Sequence, residues 1–260
     1  MPTRLDSLVI DTPDPAGLAR WWSSALDWAP PEADLTGDPN EVAVRPRGGE
    51  PGLDLVFGRM SDVKRIKNRV HLDLASRSPQ DQHDLGERLQ AAGARPVDIG
   101  QGDVPWIVLA DPEGNEFCVL EPRDRYRAAG SVAAVVVDAE DPPSLALFWA
   151  AATGWRVTDS GPAGAALHRT CEPGHSTGAV GPYLEFVPVP EPHLVKNRLH
   201  LDVRPGPGGD QAAEVARLIG LGARRIEIGQ SSAPPEEISW VVLADPEGNE
   251  FCVLRTPASP

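Results

Sequence analysis

VLADPEGNEFCVL occupies Val108–Leu120, and the same thirteen letters return at Val242–Leu254, 134 positions later. Each copy joins two β-type runs, Trp106–Ala110 and Glu116–Leu120 in the first, through DPEGN. Pro112 presets φ at the second turn position, Asp111 can cap the turn with its carboxylate, and Gly114 supplies a positive φ. The stretch therefore reads as a β-hairpin. Turn chemistry accounts for Asp111, Pro112, Gly114 and Asn115, and leaves open whether the flanking strands do more.

Outward from the hairpin the repetition continues. KNRVHLDL at Lys67–Leu74 returns as KNRLHLDV at Lys196–Val203, and LVIDTPDP at Leu8–Pro15 is answered by VVVDAEDP at Val135–Pro142. The offset drifts from 127 to 129 to 134 residues, which places small insertions in loops between matched elements. The chain is thus a tandem duplication of a unit of roughly 125 residues, a common domain size. Residues 1–122 form one domain, 123–130 a charged linker, and 131–257 the second domain. Within each half a strand–helix–strands unit occurs twice. Asp14-Pro15 and Ser78-Pro79 start helices whose apolar residues recur at helical spacing, Leu18, Trp21, Trp22 and Ala25 in the first. Asp141-Pro142 and Asp210 do the same in the second half.

Side chains alternate faces along a strand. In RVHLDL, Val70, Leu72 and Leu74 take one face while Arg69, His71 and Asp73 take the other; Arg198, His200 and Asp202 repeat this. After the turn, Glu116, Cys118 and Leu120 oppose Phe117 and Val119. A sheet face carrying Arg, His and Asp is either open to water or lines a cavity.

The whole chain bounds the possibilities. Its 260 residues, 41% hydrophobic, can bury a substantial core, and a net charge of −14 argues against a nucleic-acid groove. The start has no apolar core of a secretory signal, and no run is long and apolar enough to span a membrane. Three cysteines, Cys118, Cys171 and Cys252, suit a reducing cytoplasm better than a disulfide framework. Trp106 and Trp240, each opening a hairpin strand, could wall a cleft for a partly apolar ligand.

With DPEGN, RxHLDL and the helix order all duplicated, the chain resembles the vicinal oxygen chelate superfamily, which includes glyoxalase I, extradiol dioxygenases and the bleomycin-resistance proteins. The resemblance implies an α+β fold: two tandem glyoxalase-like domains, each of two βαβββ units forming an open, cleft-bearing mixed or antiparallel sheet. It places Arg69, Asp73, Trp106, Glu116 and Cys118, and Arg198, Asp202, Trp240, Glu250 and Cys252, in the clefts with His71 and His200. Metal-dependent members carry four ligands, and the matching positions here are Ser7 or Ala134 on the first strand, Asp54 or Glu185 late in the first unit, His71 or His200, and Cys118 or Cys252. Ser7 and Ala134 are not usual ligands, so only partial metal sets remain, Asp54–His71–Cys118 and Glu185–His200–Cys252, suited to a divalent metal such as Zn, Ni or Mn. Cys118 is also readable as an activated nucleophile or a packing residue.

The functional expectation is a glyoxalase-like small-molecule-binding protein with a degenerate metal site, taking a partly aromatic metabolite or drug. The alternative is a metal-dependent lyase/isomerase of glyoxalase type, with His71 and His200 as catalytic ligand or general base. A regulatory partner with vestigial clefts is a third reading. The expected partners are a small molecule, with no nucleic acid and no membrane, in a cytoplasmic monomer that mimics a one-domain dimer. Glu121 becomes Arg255 in the second copy, and an insertion at Pro234–Glu237 sets the halves further apart.

Overall fold

The computed structural model describes residues 3–31, 40–48, 52–61, 64–169, 181–228 and 239–256. Cys171, His175 and the Pro234–Glu237 insertion lie outside the described residues. Unit one comprises β1 (Arg4–Thr12), α1 (Pro15–Leu26), β2 (Glu41–Val44) and β3 (Asp54–Arg59). Unit two comprises β4 (Val70–Leu74), α2 (Pro79–Ala91), β5 (Arg95–Pro96), β6 (Ile107–Ala110) and β7 (Glu116–Val119). Unit three runs β8 (Val132–Ala139), α3 (Pro142–Thr153), β9 (Arg156–Gly161), β10 (Gly164–His168) and β11 (Tyr183–Pro188). Unit four runs β12 (Leu199–Arg204), α4 (Gln211–Gly220), β13 (Arg224–Arg225), β14 (Trp240–Ala244) and β15 (Glu250–Leu254).

Local chemistry sets the helix starts. The carboxylates of Asp14, Asp141 and Asp210 and the Ser78 hydroxyl each accept a backbone N–H of the first turn, and proline opens α1, α2 and α3. Each DPEGN turn closes on its aspartate: Asp111 Oδ1 accepts from the backbone N–H groups of Glu113 and Asn115, both at 2.9 Å, with Gly114 at φ 89°. Asp245 and Gly248 repeat this arrangement.

The units pair across the sequence halves. One sheet of seven strands has the order β13-β14-β15-β12-β1-β3-β2, joining units four and one. The other, of eight strands, has the order β5-β6-β7-β4-β8-β11-β10-β9, joining units two and three. At the centre of the first, β1 runs antiparallel to β12 with Val9 opposite His200; at the centre of the second, β4 runs antiparallel to β8 with His71 opposite Val136. The sequence leaves open whether units pair within a half or exchange; in the structure they exchange, so each sheet needs both halves. The four units thus form two open sheets of a tandem α+β repeat.

One core serves both sheets. Trp22 of α1, whose helix lies on the seven-stranded sheet, packs edge-on against Phe117 of the eight-stranded sheet at 5.2 Å, and Trp149 of α3 meets Phe251 of the opposite sheet at the same distance. Their indole N–H groups donate to the turn aspartates, Trp22 to Asp111 at 3.2 Å and Trp149 to Asp245 at 3.3 Å. The turn glutamates also cross over. Glu113 accepts from the Thr12 hydroxyl at 2.6 Å and pairs with Arg198 at 3.0 Å. Glu247 accepts the backbone N–H groups of Glu140 and Asp141, both at 2.8 Å, at the start of α3. The repeated hairpin is therefore the clasp between the sheets. No helix among the described residues is long and apolar enough to cross a membrane.

Candidate functional site

The face of each sheet turned away from the helices carries a matched constellation. On β4, Val70, Leu72 and Leu74 enter the shared core, so alternation turns His71 and Asp73 to the other face, and on the parallel neighbour β7 the residue opposite Asp73 is Cys118. On β12 and β15 the same register sets Asp202 opposite Cys252, with His200 beside them. One ligand-type atom from each of His71, Asp73 and Cys118 lies within 4.8 Å of the others, and the same holds for His200, Asp202 and Cys252. His71 Nε2 is 3.6 Å from Asp73 Oδ1, and His200 Nε2 is 3.4 Å from Asp202 Oδ1. In each trio the thiol and the carboxyl are hydrogen-bonded, while the carboxyl Oδ1 has no hydrogen-bond partner.

Burial dominates the electrostatics. It pushes the Asp73 carboxyl up to about 7, helped by the nearby Glu185 charge, and pushes His71 down to about 3, helped by Lys67. Burial also raises Asp202 well above the usual carboxylate range, with Glu41 and Asp6 adding to it, and lowers His200. Both thiols are pushed up by burial and by their aspartate neighbours. His71 is thus a neutral imidazole near pH 7, suited to ligation and poorly suited to taking a proton.

The exchange of units re-sorts the expected carboxylates. Asp54 pairs in register with Ser7, and Ser7 with Asp202, so Asp54 belongs to the His200 sheet. Glu185 lies on β11 beside β8, in the His71 sheet. The expected sets Asp54–His71–Cys118 and Glu185–His200–Cys252 are therefore corrected: the carboxylates change places, and the acid nearest each imidazole is Asp73 or Asp202. The four positions implied by the resemblance become Ser7, Asp54, His200 and Cys252 in one sheet and Ala134, Glu185, His71 and Cys118 in the other. Ala134 offers no donor atom, Ser7 only a hydroxyl, and Asp54 is held by Arg45 at 2.8 Å. That four-ligand set does not fit a divalent cation.

Other residues expected in the cleft are committed elsewhere. Arg69 is buried and donates to the backbone carbonyls of Glu191 at 2.6 Å and Asp138 at 2.8 Å, and to Asn249 of the other sheet. Arg198 pairs with Glu113, Glu116 with Lys64 at 2.6 Å, and Glu250 with His193 at 3.3 Å. These groups fasten loops and sheets. Trp106 borders the apolar cluster on the helix-free face, with the Arg123 guanidinium over its ring at 5.8 Å; Trp240 is half-buried at the start of β14.

The residues that sequence reasoning missed come from the linker. Asp124–Tyr126 form a short 3-10 turn that lies on the helix-free face of the eight-stranded sheet. Tyr126 is 3% exposed, its hydroxyl donates to Glu185 at 2.7 Å, and its ring meets Tyr183 edge-on at 5.4 Å. Arg125 pairs with Glu185 at 3.3 Å and stacks over the Tyr183 ring at 4.7 Å. His168 of β10 is also buried against Tyr183, with ring centroids 4.3 Å apart. A signal existed: the chain has only two tyrosines, and they meet here. A cavity of about 420 Å³ opens beside this strap, lined by Ser76, Arg77, Pro122, Arg123, Asp124 and Arg127. The facing positions of the seven-stranded sheet are charged instead, with Asp6 bidentate to Arg204 at 3.0 and 2.9 Å.

Comparison with known proteins agrees with this architecture. A putative dioxygenase from Bacillus subtilis superposes with a TM-score of 0.63 at 11% identity, over 99% of this chain and 86% of that one. Glyoxalase I from Zea mays gives 0.59 at 13% identity, over 97% of this chain and 92% of that one. At such identities the likeness is one of fold. No curated protein matches. The family model described as "Glyoxalase-like domain" matches residues 7–120 and again 134–254, so the chain belongs to the glyoxalase-like domain family, with two copies in tandem.

Proposed function

We propose that the protein binds a small, partly aromatic molecule on the helix-free face of its eight-stranded sheet. The observation that carries this reading is Tyr126. The chain's own phenol ring sits against Tyr183 with its hydroxyl on Glu185, over a floor that includes Val136 and Ala166. A face that takes an aromatic ring with one polar tip has the chemistry to take such a ligand. The strap would then act as a resident competitor that the ligand displaces. Acidic charge and sparse cysteines support a cytoplasmic protein without a nucleic-acid partner, and the exchanged units support a monomer.

Thermal unfolding with p-cresol as the probe tests this. The wild type should shift upward and Tyr126→Ala more so, since the competitor is gone and a ring-sized space is opened. A ligand at 100-fold over its Kd adds about 2.7 kcal/mol. If p-cresol shifts Tyr126→Ala alone, the face is merely a repaired cavity; if it shifts neither, the reading fails. A metal-dependent lyase/isomerase of glyoxalase type is the weaker second reading: burial keeps His71 and His200 neutral, but the four-position set around them lacks the donors a divalent cation needs. In it the imidazoles serve as ligands, because burial makes them weak bases.

A further inference from the structure

We infer that Arg77 reads a carboxylate on the ligand, so that the molecule taken by the helix-free face is a phenolic acid of about dipeptide length. The inference rests on small-molecule binding at the Tyr126 face and adds the chemistry of the ligand's second end.

The strap itself is the template. Through Tyr126 it sets a phenol ring against Tyr183 and a hydroxyl on Glu185. One residue on, the backbone carbonyl of Arg127 accepts from the Arg77 guanidinium at 2.8 Å. None of these three receiving groups belongs to the strap: Tyr183 and Glu185 stand on β11, and Arg77 follows the end of β4. They remain when the strap lifts. A displacing ligand restores every contact only if it brings a ring, a hydroxyl at the tip of that ring, and an oxygen acceptor where the carbonyl of residue 127 lay. With the hydroxyl on Glu185, the tether leaves the ring at the para position, as the backbone of Tyr126 does.

Charge decides which acceptor that is. Among the described residues the Arg77 side chain forms no ion pair, and its partner is that neutral carbonyl. A carboxylate in the same place makes the hydrogen bond charge-assisted and can take the guanidinium with both oxygens. The hollow beside the strap suits an acid. Its volume of about 420 Å³ is of ligand-pocket size, and its lining sets Arg77, Arg123 and Arg127 against one acid, Asp124. Arg123 already pairs with Glu121 at 2.7 Å and Arg127 with Asp124 at 2.9 Å, which leaves Arg77 as the lining cation without an acid partner among the described residues. In a chain of net charge −14 such a lining departs from the average surface. Nor does the fold demand the arginine. Aligned on HLDL and HLDV, Ser76 and Arg77 of the first copy answer to Pro205 and Gly206 of the second.

Calorimetric titration of the full-length chain compares three probes: p-cresol, N-acetyltyrosylglycine and the C-terminal amide of that same dipeptide. The acid should bind about fivefold or more tighter than its amide, with an advantage that shrinks as salt is raised. Arg77→Gln should bring the acid-to-amide ratio close to one, and Arg77→Lys should keep part of it. A strap merely loosened by Arg77→Gln would change both affinities alike and leave the ratio; far-UV circular dichroism checks that the variants fold. Equal affinities in the wild type, or a ratio that survives Arg77→Gln, overturns the inference. If p-cresol binds and neither dipeptide does, the inference fails while the face remains a phenol site. If p-cresol does not bind, the reading of the face fails and the role of Arg77 falls with it.

Discussion

Replacing Glu247 by alanine isolates what the repeated hairpin does. Its two carboxylate oxygens accept backbone N–H groups of Glu140 and Asp141, both at 2.8 Å, so a hairpin of one sheet caps the start of a helix on the other. Hydrogen bonds to a charged acceptor contribute about 1.5–3 kcal/mol each, and a carboxylate at a helix N-terminus adds about 0.3–1 kcal/mol. Because the donors regain water in the variant, the lower ends apply, and the expected loss is about 3 kcal/mol. For a chain of this size that corresponds to a fall in Tm of roughly 6–12 °C. Glu247→Gln keeps one acceptor oxygen and should lose about half as much. Urea unfolding with a two-probe check for coincident transitions measures both. A Glu247→Ala loss within about 0.5 kcal/mol of zero, the range of an ordinary surface substitution, would refute the clasp.

Tyr126→Phe removes the hydroxyl from Glu185 while Arg125 remains, and should cost about 1–2 kcal/mol in urea unfolding; an unchanged midpoint would mean that the strap is not fastened by that bond. Burial raises Asp245 to about 6, against which hydrogen bonds from Asn249 and Trp149 act. A carboxyl whose folded pKa is raised contributes stability that is complete below its unfolded value near 4 and is lost as pH rises through about 6. The stability of the wild type relative to Asp245→Asn should therefore fall by up to about 3 kcal/mol between pH 4 and pH 7. A difference that stays flat, or rises, would show that the turn's hydrogen bonds outweigh burial.

Much of the fold was legible because it rests on local rules. Asp14-Pro15 and Ser78-Pro79 cap helices, DPEGN closes a hairpin, and the alternation in VHLDL separates Leu72 from His71 and Asp73, all within a few residues of chain. What the sequence withheld is long-range. Nothing in the letters of β1 distinguishes pairing with β4 from pairing with β12, since both carry the same HLD core, and that one choice moves Asp54 to the His200 sheet and Glu185 to the His71 sheet. Arg69 and Arg198 look like cleft residues by alternation, but each stands just before its strand, where a long side chain reaches carbonyls or the opposing turn. The charge of the 123–130 linker marks it as a connector, and a single residue within it, Tyr126, anchors it to the sheet.

Interstrand proton contacts in a nuclear Overhauser spectrum of the intact, isotope-labelled chain put the exchanged pairing to the plainest test. The account predicts cross-peaks between backbone protons of Val9 and His200, and of His71 and Val136, the partners across β1–β12 and β4–β8. Cross-peaks linking β1 to β4 and β8 to β12 instead would show each half folding on itself, and would return Asp54 to His71 and Glu185 to His200.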